Sequence, residues 1–300
     1  MSAESSLKLP AIEQPQLRTR APDTPFRKAL RRFRRHRLAM AGLTIIVLLV
    51  IAALLGSESA ALEQNLRAMN KPPSGEHLFG TDRIGRDILA RTLVGGRISL
   101  AVGLVAVFFS TSIGLTLGSL AGYYGGWFDQ IIMRVVDVVL SFPVIILLLC
   151  VASLVGPSIF NVMAMIGLLT WPTPCRIMRG QFLTLRERAF VEAAYCLGVT
   201  DFQIAVRHII PNAIAPVLVY ASFAVATAVL LEAGLSYLGL GVQPPTPSWG
   251  NMLNTARNIS TMERTSWQWV PPAIMTVLFV LAVNFVGDGV RDALDPQAKE

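Results

Sequence analysis

The chain is poor in the residue types from which catalytic and metal centres are built. Three cysteines and three histidines are spread over 300 residues. Cys150, Cys175 and Cys196 show no C-x-x-C spacing, which excludes a zinc ribbon or a dense disulfide framework and leaves them as packing residues. His36, His77 and His208 are equally scattered, so no ligand cluster can be assembled and no metal site is expected. The sequence lacks a G-x-x-x-x-G-K-[ST] phosphate loop and a Ser/His/Asp constellation, so no catalytic residue and no cofactor of its own is expected. Charge is scarce as well. Only 15% of residues are charged against 53% hydrophobic, a balance too apolar for a soluble domain of ordinary composition.

What the sequence does hold is a succession of long apolar runs. Residues 1–23 precede them and are polar, proline-containing and without periodicity, as a disordered cytoplasmic tail would be. Thr24 before Pro25 forms an N-cap and N1 pair, and Phe26, Leu30, Phe33 and Leu38 punctuate a run of arginines. Residues 24–37 are therefore expected as a basic amphipathic helix on the membrane surface. Such a run can also bind nucleic acid, but an apolar stretch begins directly after it, which favours membrane lipid as the partner and gives no reason to expect nucleic acid. Residues 38–55 are uncharged and long enough to cross a hydrocarbon core of about 30 Å. A secretory signal has a shorter apolar core of about 7–15 residues. The arginines ahead of this first span put the N-terminus in the cytoplasm.

Five further spans are expected, at residues 98–121, 135–155, 159–175, 213–231 and 270–286, giving an all-α polytopic membrane protein of six transmembrane helices with both termini cytoplasmic. Residues 56–97 then lie outside, although their basic residues outnumber the acidic ones. The first helix usually dominates orientation, so the assignment stands. Asp82, Arg83, Arg86 and Asp87 resemble a catalytic cluster, but alternating charges in a loop read more readily as an ion-pair network. Gly114, Gly118 and Gly122 repeat at intervals of four and form a helix-packing seam, against another helix of the chain or against a second subunit. Asp137 should face protein, with Arg134 one turn away as its partner; a structural pair is favoured over a pathway-lining group. Pro143 lies inside the third span, and Asn161, Pro172 and Pro174 interrupt the fourth, where a bend or early end is expected. Glu232 ends the fifth span near the external interface, where water can solvate it. The Gly- and Pro-rich residues 236–250 read as an ordered external loop.

Residues 184–212 form the long polar-flanked stretch between apolar runs that still reads as folded. Thr184 with Glu187 and Thr200 with Gln203 are capping-box patterns. Phe190, Ala194 and Leu197 share one helical face up to Gly198, a natural αL stop. Phe202, Ala205, Val206 and Ile209 then lead to Pro211, which should break the second helix. The expectation is a helix-turn-helix between spans four and five. Arg176, Arg179, Arg186, Arg188 and Arg207 outnumber Glu187, Glu192 and Asp201 there, which places it in the cytoplasm.

Glu192-Ala193-Ala194, then Gly198, then His208-Ile209-Ile210-Pro211-Asn212 resembles the EAA loop of binding-protein-dependent ABC importer permeases. Residues 77–87, 236–250 and 284–296 resemble the dipeptide, oligopeptide and nickel branch of that family, so the resemblance runs from about residue 26 to 296. It implies a permease subunit of the bacterial inner membrane, with a coupling helix docked into an ATP-hydrolysing subunit. Glu192, Ala193, Ala194, Gly198, Phe202, His208 and Pro211 would be the ATPase-coupling residues. It further implies a homologous second permease, two ABC ATPase subunits that carry the ATP and Mg, an extracytoplasmic solute-binding protein, and peptides or nickel complexes as cargo. Two departures stand out: Cys196 occupies a position expected to hold a small apolar residue, and the outer loop after the first span is short. The alternative is a membrane docking or channel protein without ATP-driven transport. A channel would carry a polar face along several spans, whereas only Asp137 and Glu232 are available here.

Overall fold

The computed structural model describes residues 25–295. The tail expected at residues 1–23, and the capping role of Thr24, lie outside them. The described residues contain no β-strand; an isolated antiparallel bridge joins Thr81 to Asp87. The basic segment forms α1 (Pro25–Arg35), and α2 (Arg37–Leu55) follows at once. His36 separates the two in an extended conformation, its Nδ1 accepting from Ala39 N at 3.0 Å as the N-cap of α2. A short α3 (Glu58–Leu62) leads into an irregular segment that ends at Asp87.

Helix α4 (Ile88–Tyr124) has 37 residues and so extends roughly 55 Å at 1.5 Å per residue. It begins ten residues before the expected start of the second span because Asp87 caps it, accepting from Ala90 N at 2.9 Å, and it ends at Gly125, whose φ is +63°. The added turns keep their arginines because each is satisfied inside the chain. Arg97 closes the C-terminus of α2, donating to Ala53 O at 2.6 Å, to Leu54 O at 2.7 Å and to Gly56 O. Arg91 reaches Ala61 O at 3.3 Å and Asp82 at 3.8 Å, and Arg86 Nε lies 2.6 Å from Asp82. Asp87 also meets His77 at 2.8 Å. Asp82, Arg86 and Arg91 thus form an ion-pair network and Asp87 pairs with His77, while Arg83 has no acidic partner among the described residues; Arg86, Arg91 and Arg97 of the basic excess of residues 56–97 are committed to intramolecular partners.

The stretch expected as a straight third span is broken. Helices α5 (Gly126–Leu140) and α6 (Val144–Val155) are bent by 87° at Pro143, which supplies no backbone donor and disfavours helical torsions at Phe142. The fourth stretch gives α7 (Ile159–Thr170) and α8 (Pro172–Leu185), with Trp171 between them at helical torsions of φ −62° and ψ −23°. Pro172 and Pro174 begin α8, where a missing N–H is tolerated. Asn161 donates to Gly156 O at 3.0 Å and holds the preceding turn.

The remaining elements are α9 (Ala189–Cys196), α10 (Asp201–Tyr237), α11 (Trp249–Leu253), α12 (Ile259–Arg264) and α13 (Val270–Leu294). Helices α2, α4, α10 and α13 are long and apolar enough to cross a membrane, and the bent α5–α6 pair makes a fifth if counted as one span. The sequence reading expects six.

Packing explains how these helices assemble. The glycine seam of α4 faces α8 of the same chain. A Cβ at Gly118 would lie 2.5 Å from Cys175 O, and one at Gly114 would lie 2.7 Å from the Pro174 ring. A Cβ at Gly122 would stand 2.5 Å from Phe182 Cβ. Gly42 lets α2 approach α13 in the same way, 2.5 Å from Ala282 O. A core of Val102, Ala106, Leu148, Val162, Ile166 and Leu235 joins α4, α6, α7 and α10.

Glu232 does not sit at a solvated interface. It is fully buried, and three serine hydroxyls donate to it: Ser236 at 2.7 Å, Ser248 at 2.9 Å and Ser99 at 3.0 Å. Each serine oxygen also accepts a backbone N–H from the segment after α10, from Val242 at 3.0 Å, Asn251 at 3.1 Å and Trp249 at 3.2 Å respectively. The carboxylate therefore anchors the Gly- and Pro-rich loop and the capping box of α11 onto α4 and α10.

Two stability predictions follow from these contacts. Gly118→Leu should destabilise the detergent-extracted chain by about 1–3 kcal/mol through overpacking. Gly180→Ala on α8, where nothing lies within 4 Å, should be neutral or stabilising by about 0.5–1 kcal/mol. Equal thermal midpoints for the two variants would show that α4 and α8 do not meet through the glycine seam. Glu232→Leu strands three hydroxyl protons and should cost about 3 kcal/mol or more, whereas Glu232→Gln, which keeps one acceptor, should cost about 1 kcal/mol. Limited proteolysis of residues 238–248 should accelerate in Glu232→Leu; unchanged cleavage would remove Glu232 from the role of anchor.

Candidate functional site

The folded segment after α8 sits at the Tyr124 end of α4. Thr184 does not open a helix: it lies inside α8 and donates to Gly180 O at 3.1 Å, so the first expected capping box is absent. Helix α9 starts instead at Ala189, without a side-chain cap. Its end matches expectation. Gly198 takes φ +73°, its N–H meets Tyr195 O at 2.9 Å, and Val199 N reaches Ala194 O at 3.1 Å, the paired bonds of a Schellman motif.

Thr200 is the N-cap residue of α10, but its side chain makes no capping hydrogen bond. Pro211 does not break the second helix. Residues Ile204–Ile209 form a π-helical turn directly ahead of it, and the helix runs on to Tyr237. A π turn relieves the clash between the proline ring and the preceding turn, and it accommodates the missing N–H. It also resets the helix face. Ile204 and Ile209, five apart, are both buried, and Ala213 and Val217 continue the same stripe. Phe202 and Val206 lie off this stripe and are 74% and 42% exposed.

On α9, Phe190, Ala194 and Leu197 do not share the single face expected of them. Val191 and Ala194 pack inward on Met178, Phe182 and Ile204, while Phe190 and Leu197 are exposed. Of the expected coupling residues, Glu192, Ala193, Gly198, Phe202 and Pro211 are exposed, His208 is half-buried, and Ala194 faces the core of the chain itself. Tyr195 and Leu197, which the sequence reading did not place among the coupling residues, are exposed beside them; Leu197 is 82% exposed. Its signal was an apolar residue directly before the αL glycine, a position that a Schellman turn lifts away from the inward face. Tyr195 is held by its hydroxyl, 2.9 Å from that of Tyr123 on α4. Glu192 thus lies on a surface carrying Phe190, Leu197, Phe202 and Val206, a contiguous sequence segment whose apolar side chains find no cover in the chain.

Two ion pairs brace this end of the bundle. Asp129 on α5 accepts from Arg179 Nη2 on α8 at 2.6 Å, and this hydrogen bonding, ahead of the opposing desolvation, raises the Arg179 guanidinium above its ordinary value. Asp137 pairs with Arg176 of α8, not with Arg134, and both side chains are about half exposed. Both carboxylates of α5 thus address α8 in place of their own helix. Among the described residues no group of three or more His, Cys, Asp or Glu side chains is arranged to hold a metal ion.

Known proteins share both the sequence and the fold. The profile of the binding-protein-dependent transport system inner membrane component matches residues 114–300, and that of the N-terminal TM domain of oligopeptide transport permease C matches residues 24–73. A protein of Brucella suis named as a peptide permease is 46% identical over 278 residues, 92% of each chain. The glutathione transport system permease protein GsiD of Escherichia coli is 41% identical over 295 residues, covering 97% of this chain and 95% of that one. An inward-facing structure of the MetNI methionine ABC transporter has a subunit that superposes with a TM-score of 0.54 at 21% identity, covering 68% of this chain and 96% of that chain; it carries the fold alone. The long apolar helices, the helix-turn between α8 and the α10 span, and these relationships together make this chain a member of the binding-protein-dependent ABC importer permeases, in the branch that contains the peptide permeases.

Proposed function

We propose that this chain forms one half of the transmembrane pathway of an ATP-driven importer for peptides or related small solutes. It pairs with a homologous second permease, rests on two ABC ATPase subunits, and receives solute from an extracytoplasmic binding protein. Both termini and the α9–α10 turn face the cytoplasm. ATP and Mg are bound by the partner ATPases, and this chain contributes no catalytic group. The names of its relatives, a peptide permease and a glutathione permease, support this cargo class.

The observation that carries the reading is mechanical. The exposed face of α9 and the start of α10 forms the docking surface, with Glu192 and Ala193 beside Leu197 and Phe202. That surface is fixed to α8 through Val191 and Ala194, and its second helix passes through the π turn into a continuous 37-residue helix. A partner that displaces the turn therefore moves the span with it as a rigid body. Closure of the ATPase pair would tilt α10 and the bent α5–α6 pair and exchange inward for outward access.

Two substitutions test the coupling. Gly198→Pro cannot adopt φ +73° and loses the N–H bonded to Tyr195 O, a distortion of about 3 kcal/mol or more at the turn. Transport in proteoliposomes should fall to background while ATP hydrolysis by the assembled complex persists; transport at the normal rate would show that this turn is not the coupling element. Glu192→Lys reverses an exposed charge and should weaken retention of the ATPase subunits during purification. Undiminished co-purification would rule out docking through Glu192.

A further inference from the structure

At the Ile88 end of α4, opposite the docking surface, residues 82–86 and 254–268 enclose a cleft of about 350 Å³ whose lining residues are all polar or charged. Arg83, Arg86 and Arg257 face it together with Asp82, Asn258 and Gln268. Asp82 is already committed. Its carboxylate accepts from Ile84 N at 3.0 Å, from Arg86 N at 2.9 Å and from Arg86 Nε at 2.6 Å. Arg83 donates to the Thr261 hydroxyl at 2.7 Å, and among the described residues neither Arg83 nor Arg257 has a carboxylate partner. Two guanidinium groups therefore stand at the cleft with no acid to neutralise them.

The wall of the cleft carries a second unmet demand. Gln268 is 1% exposed, and its Nε2 donates to Asn70 Oδ1 at 2.8 Å and to Thr81 O at 3.3 Å. A backbone carbonyl can only accept, so the Thr81 contact fixes the amide orientation. It leaves Gln268 Oε1 as a buried acceptor without a partner. Such an atom is costly to bury and is complementary to an N–H donor.

Free guanidinium groups beside an unmet acceptor match one kind of molecule: a short one that carries a carboxylate together with an amide or ammonium N–H. We propose that this cleft is an entry site for the carboxylate end of a short peptide, the carboxylate meeting Arg83 and Arg257 and a peptide N–H meeting Gln268 Oε1. Its volume lies at the small end of the roughly 300–1,000 Å³ range of ligand pockets, which suits a peptide terminus. An acidic side chain of a docked solute-binding protein would also meet the arginines, but a carboxylate side chain brings no N–H to Gln268. The assignment rests on the importer reading, because it needs solute to arrive from the face away from the ATPases.

The test uses the transporter purified with its partner subunits in lipid nanodiscs, without the solute-binding protein, and equilibrium dialysis of radiolabelled trialanine. Trialanine should bind saturably, and its C-terminal amide should bind roughly tenfold more weakly. Arg83→Gln and Arg257→Gln should each weaken trialanine by a similar factor, and exposed arginines of this kind leave folding intact. Absence of saturable binding, or the same affinity in wild type and the double variant, overturns the proposal. Unchanged trialanine binding with weakened capture of the solute-binding protein by the double variant overturns it in favour of a protein-docking patch. Co-purification of ATPase subunits with the wild-type chain is scored separately: their absence sinks the importer reading, and dialysis on the chain then still decides whether the cleft binds peptide.

Discussion

The structure depends on the close approach of α4 and α8. Glycines at intervals of four remove every side chain from one stripe of α4, and α8 lies in that stripe with its backbone and Phe182 in van der Waals contact. No hydrophobic drive pulls helices together in lipid, so contact of this quality must come from packing itself. Everything at the Tyr124 end is built on it. Met178 and Phe182 of α8 form the floor on which Val191, Ala194 and Ile204 rest, and Asp129 and Asp137 reach α8 from α5. A wider separation of α4 from α8 would leave the α9 turn without a base.

The opposite end of the bundle is held by a different kind of force. Several buried or half-buried polar groups there are matched by partners that the chain supplies. Arg97 takes the carbonyls left unpaired at the C-terminus of α2, Asp82 takes two backbone N–H groups and Arg86, and Glu232 takes three hydroxyls. A buried charge contributes little net stability, but removing a partner is expensive, so such sites fix geometry more than they add free energy. The consequence is a rigid platform: α4, α10 and the loop up to α11 are tied at one point by Glu232. Against that fully satisfied background the unpartnered Gln268 Oε1 and the free guanidinium groups stand out.

Much of this was legible in the sequence, and what was not has identifiable causes. Hydropathy gave the helical membrane class and the positions of α2, α10 and α13, because long uncharged runs depend on no partner. Gly198 as an αL stop and the glycine seam were legible because only a missing side chain explains them. The failures come from long-range effects. The second span was begun at residue 98, past Arg91 and Arg97, and the carbonyls of Ala53, Leu54 and Ala61, distant in sequence, are what satisfy these arginines in the earlier turns of α4. Glu232 was placed in water because its donors Ser99 and Ser248 lie far away along the chain. Asp137 was given a neighbour on its own helix, since sequence spacing cannot show that α5 packs beside α8 and meets Arg176.

The π turn at Ile204–Ile209 decides how the segment after α9 joins the span. A proline at position 211 announces a helix end under the ordinary rule, and the second short helix is expected to stop there. One wider turn changes that conclusion and sets the face of the residues before it. It absorbs the proline, so the helix continues into the span, and it rotates the preceding residues, so Phe202 points away from Met178 and Phe182. The two outcomes serve a single purpose. A docking residue is useful for transport only if its displacement reaches the membrane, and a helix broken at Pro211 would dissipate that displacement in a loop. Because the π turn carries the helix on past Pro211, it runs without a break in direction from Asp201 to Tyr237, and the exposed apolar face at one end and the Glu232 anchor at the other belong to one element. Movement imposed on Phe202 must therefore either shift the platform that carries the cleft or break hydrogen bonds that the chain has fully satisfied.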